Sequence, residues 1–274
     1  MRKSIIKYWN YLILVLFSLT MVFPYIWMIL LSLKSKSEIY SGHLLPSVFN
    51  YSNFPRVFAE TKMLHYLFNS VYVGIVIVIV QIFLAILAAY VFAGIPKKWV
   101  NLCFVIILAT YMLPAAVTYI PSFVLISNMN LLDHHLGYIL SESISIFSIF
   151  FLRQAFSQVP DDVVHAAKLD GSGHLRLIFN VYVPYCKNAI ASLVLITFIY
   201  SYNNYMWPSL LIQTNEKMFA TIGLRRLFMT QAGYGMDFPL AMAACTISLI
   251  PLFVILFIGN KKIIQSMANL YVNK

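Results

Sequence analysis

The sequence predicts an all-α, polytopic membrane protein, and three observations carry that prediction. Of the 274 residues, 61% are hydrophobic and 10% are charged, whereas a water-soluble domain of this size carries about 25% charged residues. Several apolar runs reach the roughly 20 residues that a helix needs to cross a bilayer. Late in the chain stands HAAKLDGSG, residues 165–173, a polar, glycine-punctuated insert between two such runs.

Six spans follow in order: Tyr11–Leu33, Phe68–Gly94, Val100–Ile126, Leu136–Leu152, Ile190–Leu211 and Pro239–Ile258. The first comes after a basic start (Arg2, Lys3, Lys7) but is long and is not closed by a small-residue cleavage site, so it reads as an uncleaved span and not as a signal peptide. The fourth is the shortest. Pro24, Pro114, Pro121, Pro208 and Pro251 fall inside or near the ends of these runs and forecast kinks, not breaks, because neighbouring helices satisfy the freed carbonyls. Counting Lys and Arg on alternate sides gives 12 on the side of the termini and of residues 165–173, against 7 on the other. The richer side is expected to be cytoplasmic, with both termini inside. The same asymmetry accounts for the formal charge of +10 without a nucleic-acid partner.

The insert between spans four and five reads as two short amphipathic helices. Pro160 suits the first helical position, and Asp161 and Asp162 fall in the first turn, where carboxylates complement the helix dipole. Val163, Ala166, Ala167 and Asp170 recur on one face, and Gly171-Ser172-Gly173 ends the helix. In the second helix Leu175, Ile178, Phe179 and Tyr182 share a face, Arg176 and Asn180 look away, and Pro184 closes it. Periodicity leaves two readings open: a docking surface for another protein, or a hairpin lying on the lipid headgroups.

No enzymatic constellation converges. Cys103, Cys186 and Cys245 are odd in number and widely separated, which suggests neither a disulfide framework nor a zinc site. His134 and His135 after Asp133 read as a solvated connector and not as metal ligands. There is no G-x-x-x-x-G-K-[ST] loop, so the chain is not expected to hydrolyse ATP. A secondary transporter would show corresponding interrupted spans in two repeated halves, and none is found. For a solute pathway, Glu142 is the clearest ionisable group within a span. Tyr202, Asn203, Asn204 and Trp207 are amides and aromatics suited to polyols, and Asn69 at the start of span two is similar in kind. The same groups also suit helix-to-helix hydrogen bonds and, for Trp207, an interfacial aromatic belt. The spans hold no Lys or Arg to meet a phosphate.

HAAKLDGSGHLRLIFNVYVP resembles the EAA loop of permease subunits of binding-protein-dependent ABC importers, whose pattern is E-A-A, three residues, G, nine residues, I, one residue, L-P. Ala166, Ala167, Gly171 and Pro184 match in register, with Val181 and Val183 as conservative stand-ins. FFLRQAFSQVPDD before the loop, ITFIYSYNNYMWPSLL in span five and LFNS at 67–70 are similar to the carbohydrate-uptake branch, in its glycerol-3-phosphate/maltose-type second permease, so that the resemblance runs from about Phe68 to Pro251. It implies one transmembrane domain over residues 1–274 with the type I importer permease fold, located in the bacterial inner membrane, with an EAA coupling loop at about 154–186. The coupling residues it implies are Asp161, Asp162, His165, Ala166, Ala167, Asp170, Gly171 and Pro184. It implies a second, different permease, a dimer of a cytoplasmic ATPase that uses ATP and magnesium, and an extracytoplasmic solute-binding protein, with no cofactor on this chain. The implied cargo is a sugar, oligosaccharide or polyol derivative, with glycerol-3-phosphate or a glycerophosphodiester as the alternative. Two departures stand out. The family's glutamate is His165 here, so either Asp161 or Asp162 supplies its charge or the contact is a neutral hydrogen bond, and NKKIIQSMANLYVNK replaces the family's glycine-containing tail.

Overall fold

The computed structural model describes residues 2–95, 97–231 and 237–272, and the described residues form helices and no strand. The helices are α1 (Arg2–Ser32), α2 (Asn53–Glu60), α3 (Met63–Gly94), α4 (Lys98–Tyr111), α5 (Ala115–Asn128), α6 (His135–Ser141), α7 (Ile146–Phe156) and α8 (Asp161–Leu169). There follow α9 (His174–Leu177), α10 (Val183–Tyr185), α11 (Lys187–Asn203), α12 (Met206–Leu211), α13 (Ala220–Gln231) and α14 (Phe238–Val272).

Three helices are single apolar spans: Trp9–Ser32, Met63–Gly94 and Phe238–Gly259. They agree with the first, second and sixth runs of the sequence. The rest of the membrane-length structure comes as bent pairs, α4 with α5 (102°), α6 with α7 (46°) and the hairpin helix 174–185 with α11 (82°), so that the described residues hold up to six spans by length and composition if each pair is one. Here the expectation of kinks needs correction at one proline. Pro114 stands between α4 and α5 as the N-cap of α5, with ψ of 133°, and the third run is two helices. Pro24, Pro121 and Pro251 lie within helices as expected. The fifth run is likewise interrupted, because α11 ends at Asn203 and α12 starts only at Met206.

The chain divides into two compact units, residues 1–65 with 222–250, and residues 66–221 with 251–274. In the first, Asn53 is buried and its Nδ2 donates to the carbonyls of Ser32 (2.8 Å) and Lys34 (2.9 Å). It thereby serves acceptors at the C-terminal end of α1 that have no partner within the helix. Asp237 caps α14, accepting from the Leu240 N–H at 3.2 Å, and pairs with Arg56 at 3.0 Å, while Arg56 also holds Glu60 at 2.8 Å. The bonds to Glu60 and then Asp237 push the Arg56 guanidinium above its usual pKa.

In the second unit the core runs through Ala85 and Ala89 of α3, Val100 of α4, Leu152 of α7, Leu193 of α11 and Leu211 of α12, all essentially inaccessible. Small residues let helices approach closely where lipid gives no hydrophobic drive to association. Gln81 of α3 is buried and donates to Ser148 of α7 at 2.7 Å, a polar pair satisfied within the helices.

Candidate transport and coupling sites

Two helix breaks face each other in the second unit. Glu142 is the C-cap of α6, with φ −97° and ψ 2°, and Asn204 is the C-cap of α11, with φ −64° and ψ 124°. The Asn204 Nδ2 donates to Glu142 Oε1 at 3.4 Å. Beside them the Trp207 indole N–H donates to Ser141 Oγ at 2.8 Å, and the Tyr119 ring stacks on Trp207 with centroids 5.3 Å apart. Thr221 donates to the Asn204 carbonyl at 3.1 Å. Irregular backbone within an apolar layer persists where protein or a cavity satisfies it, and here the Thr221 hydroxyl serves the freed Asn204 carbonyl.

Of the pathway residues read from the sequence, the structure brings together Glu142, Asn204 and Trp207. Trp207 is buried with one face under Tyr119, so it braces the break instead of presenting an open ring. Tyr202 is buried and stacks on Phe198. Asn203 is exposed and donates to the Ile199 carbonyl at 3.0 Å, within its own helix. Asn69 ties α3 to the segment after α12 through the Glu216 and Met218 carbonyls, at 2.9 and 3.0 Å. Ser141 and Tyr119 were missed, because neither carries a charge at neutral pH and each acts only through a partner distant in sequence. An apolar groove of about 390 Å³ lined by residues such as Ile75, Val194, Phe198 and Ile258 offers a polyol no hydrogen-bonding side chain.

The Asp133-His134-His135 loop is more than a solvated connector. Asp133, at φ 57°, accepts from the N–H groups of Gln213 (2.9 Å) and Thr214 (2.8 Å), from the Thr214 hydroxyl, and from Lys217 Nζ at 3.3 Å. His135 Nε2 meets the Lys217 carbonyl at 2.8 Å and its ring stacks on Phe219. Burial works against the Asp133 charge, but the bonds from Thr214, Gln213 and Lys217 outweigh it and hold this carboxyl well below the usual range. Because the folded value is depressed, the clasp's stabilisation is present above the ordinary carboxylate pKa and is lost only as pH falls through the lowered value. Among the described residues no group of three or more His, Cys, Asp or Glu side chains is arranged to hold a metal.

The hairpin is built as a helix, a sharp stop and a second helix. Pro160 is the N-cap of α8, one position earlier than the sequence suggested, and Asp161 and Asp162 open the helix exposed to solvent. At the far end the Gly171 N–H bonds to Lys168 O and the Ser172 N–H to Ala167 O, both at 3.0 Å, with Gly171 at φ 76°. This is a Schellman stop, which needs a left-handed residue at the glycine position. A Cβ on Gly171 would meet nothing within 4 Å, so backbone conformation, and not space inside this chain, requires the glycine. Val164 packs inward, whereas Val163, His165, Ala166 and Asp170 are exposed and Ala167 is half-buried.

The second helix departs from the predicted face. Its inward residues are Leu177, Ile178 and Tyr182, while Leu175 and Phe179 are exposed. The cause is a π-helical turn over Ile178–Tyr182, closed by the Val183 N–H on Ile178 O. One extra residue per turn shifts the face that a 3.6 period would give. Pro184 lies exposed within α10, and the chain turns two residues later at Cys186. The backbone of α14 stays helical to Val272, but the side chains from Asn260 onward, and all of residues 273–274, lie outside the described residues, and the tail substitution falls there.

The family described as "Binding-protein-dependent transport system inner membrane component" matches residues 81–269, a stretch that holds both helix breaks and the hairpin. The chain belongs to this family. This permease is 27% identical over 267 residues to the lactose transport system permease protein LacG of Rhizobium radiobacter, covering 97% of each chain. It is 32% identical over 203 residues to the sn-glycerol-3-phosphate transport system permease protein UgpE of Yersinia pestis, covering 74% of this chain and 72% of the relative. With the arabinooligosaccharides transport system permease protein AraQ of Bacillus subtilis it shares 26% over 261 residues, covering 93% and 92%. Its fold is that of a chain in the crystal structure of a bacterial ABC transporter importing the acidic polysaccharide alginate, with a TM-score of 0.83 at 22% identity and coverage of 95% and 97%. These relatives are transport permeases and not enzymes, and the family is one of inner-membrane components.

Proposed function

We propose that this permease forms half of the translocation pathway of an ATP-driven importer for a neutral sugar or oligosaccharide. The observation that carries the reading is the coupling hairpin, whose exposed face sets Ala166 and the half-buried Ala167 beside a left-handed Gly171. Small side chains allow a foreign backbone to approach closely, which suits a protein cleft better than a headgroup layer. The occupant is the cytoplasmic ATPase dimer, which binds ATP and magnesium. His165, where the family has glutamate, makes a neutral contact, and Asp161, one turn earlier on the same face, meets a basic residue of the ATPase with Asp162 beside it. The single transmembrane domain is completed by a different permease. The Trp9–Ser32 span favours that reading, since none of its apolar window is buried within this chain. An extracytoplasmic binding protein delivers the solute.

On the pathway, the Glu142–Asn204 pair supplies hydrogen-bonding groups for hydroxyls. A carboxylate at the break disfavours a phosphate by like-charge repulsion, which argues for the lactose- and arabinooligosaccharide-type cargo of the relatives over glycerol-3-phosphate. Glu142→Gln is expected to lower kcat/KM for uptake by about tenfold to a hundredfold, the range for losing a charged hydrogen bond. ATPase attachment should stay intact. Calorimetric screening of the co-purified binding protein against neutral oligosaccharides and glycerol-3-phosphate, with uptake assays on the hits, tests both halves. Unchanged uptake in Glu142→Gln, or a phosphorylated ligand for the binding protein, would sink this part.

The orientation proposed is the one charge counting gives, with both termini and the hairpin inside. In a background free of native cysteines, His134→Cys is expected to react with an impermeant thiol reagent added to intact cells, because His134 is exposed on the loop between α5 and α6. Lys97→Cys and Ser172→Cys should be protected. The reverse labelling pattern overturns the orientation.

A further inference from the structure

The hairpin's second helix is fastened to the end of α3 by contacts that the docking role does not need. The Tyr90 hydroxyl and His174 Nδ1 lie 2.6 Å apart, and the Tyr90 ring meets His174 edge-on at 5.8 Å. The same tyrosine ring meets Tyr182 edge-on at 5.3 Å, and Tyr182 in turn packs on Phe156 of α7 at 5.1 Å. Gly94 closes the contact: a Cβ there would lie 3.1 Å from the Tyr90 ring and 3.4 Å from the Tyr182 hydroxyl. Tyr90 and Tyr182 are both buried.

The local backbone explains why Tyr182 is in place. His174 and Tyr182 stand eight positions apart, a little over two ordinary turns, and the wide turn over Ile178–Tyr182 begins and ends on the two residues of this stretch that face inward, Ile178 and Tyr182. Single π-turns inside helices are rare and are frequent at functional positions. The hairpin helix is therefore held at its first residue and again at its wide turn, both times by one tyrosine near the end of a membrane-spanning helix.

We infer that Tyr90 and His174 form a mechanical latch: Tyr90 is a positioning residue through which displacement of the hairpin moves α3, and hence the pathway, in step with the ATPase. The inference rests on the docking reading above and assigns a separate element to it. In the tautomer that carries its proton on Nε2, the Tyr90 O–H donates to His174 Nδ1, so that one hydrogen bond and one ring contact transmit the motion. Breaking the bond leaves the docking face untouched, because Val163, Ala166 and Ala167 belong to α8 and Tyr90 does not. What is lost is the constraint that makes ATP hydrolysis and solute movement one event.

The test uses the complete reconstituted importer in proteoliposomes, reading solute delivered per ATP hydrolysed and, separately, ATPase that co-purifies. Tyr90→Phe and His174→Ala are each expected to lower solute per ATP about fivefold, the lower end of typical coupling energies, with co-purified ATPase unchanged. The double variant should lose no more than either single one, since both remove the same bond. His174→Asn, whose side-chain oxygen stands near the place of Nδ1, should recover most of the ratio. Normal solute per ATP in Tyr90→Phe, losses that multiply in the double variant, no recovery with asparagine, or loss of ATPase from the Tyr90→Phe complex would each overturn the latch. Ala167→Trp in the same preparations reads docking by itself. If it keeps the ATPase bound, the docking reading fails and the latch falls with it. If it releases the ATPase while Tyr90→Phe transports normally, only the latch fails.

Discussion

Ala167→Trp is expected to strip the ATPase from the purified complex and abolish uptake while the permease remains inserted. Ala167 is half-buried on the outward face of α8, beside exposed Val163 and Ala166 and one turn before the Gly171 stop. An indole there projects from a surface whose other members are small, and forcing extra volume into a fitted contact costs about 1–3 kcal/mol or more. That is roughly a tenfold to hundredfold loss of affinity or greater. Gly171→Val should act by a different route, because its Cβ meets nothing nearby while φ of 76° is strained for a β-branched residue. It loosens the Schellman stop and re-aims the helix end. Gly171→Asn, which tolerates the left-handed region, should therefore retain most ATPase binding. Equal damage from valine and asparagine would show that the surface, and not the backbone angle, is what the partner reads at this position.

Much of this architecture was legible because hydropathy reports the bilayer directly. The first, second and sixth runs lie within a few residues of the three single apolar spans, since the part of a helix that crosses lipid has to be apolar along its length. The breaks were not legible. An apolar run reads the same whether its backbone bonds continue or stop, and the side chains that meet at the ends of α6 and α11, Glu142 with Asn204 and Ser141 with Trp207, are partners far apart in sequence. Pro114 shows the same limit, since a proline's tolerance depends on neighbours that composition does not name. The hairpin's glycine was legible from its turn chemistry, whereas the face of the second helix was not, because a period of 3.6 misplaces side chains once a π-turn intervenes. Glu142 stood out as an ionisable residue in an apolar setting. Its partner Asn204 was one of several amides that local sequence could not rank. Asp133 looked like a loop residue because its partners lie about eighty positions away.

Gly137→Ala is expected to be among the most destabilising single-methyl changes in the second unit. Gly137 is buried in α6, and a Cβ there would fall 2.4 Å from the Leu131 carbonyl oxygen and 3.2 Å from the Ile126 side chain. A side-chain neighbour can swing away, but a carbonyl moves only with its loop. This loop has little freedom: Leu131 N–H bonds to Ile126 O at 3.1 Å, Asn130 and Asp133 are both left-handed at φ 57°, and the Asp133 side chain is fastened to Gln213, Thr214 and Lys217. Relief must come from shifting α6 or opening the clasp, so the loss should sit at or above the upper end of the ~1–3 kcal/mol typical of overpacking. Thermal unfolding of the detergent-solubilised protein, followed by size-exclusion chromatography, gives the measure. Gly173→Ala is the control, since nothing lies within 4 Å of its Cβ and its φ is −73°. The mechanism makes a sharper demand as well. If the alanine acts by opening the clasp, Asp133→Asn should cost less stability in the Gly137→Ala background than in the parent, because the bonds it removes are already weakened. Additive losses would place the strain in α6 itself, and a Gly137→Ala protein as stable as the Gly173→Ala control would show that the Leu131 carbonyl yields freely.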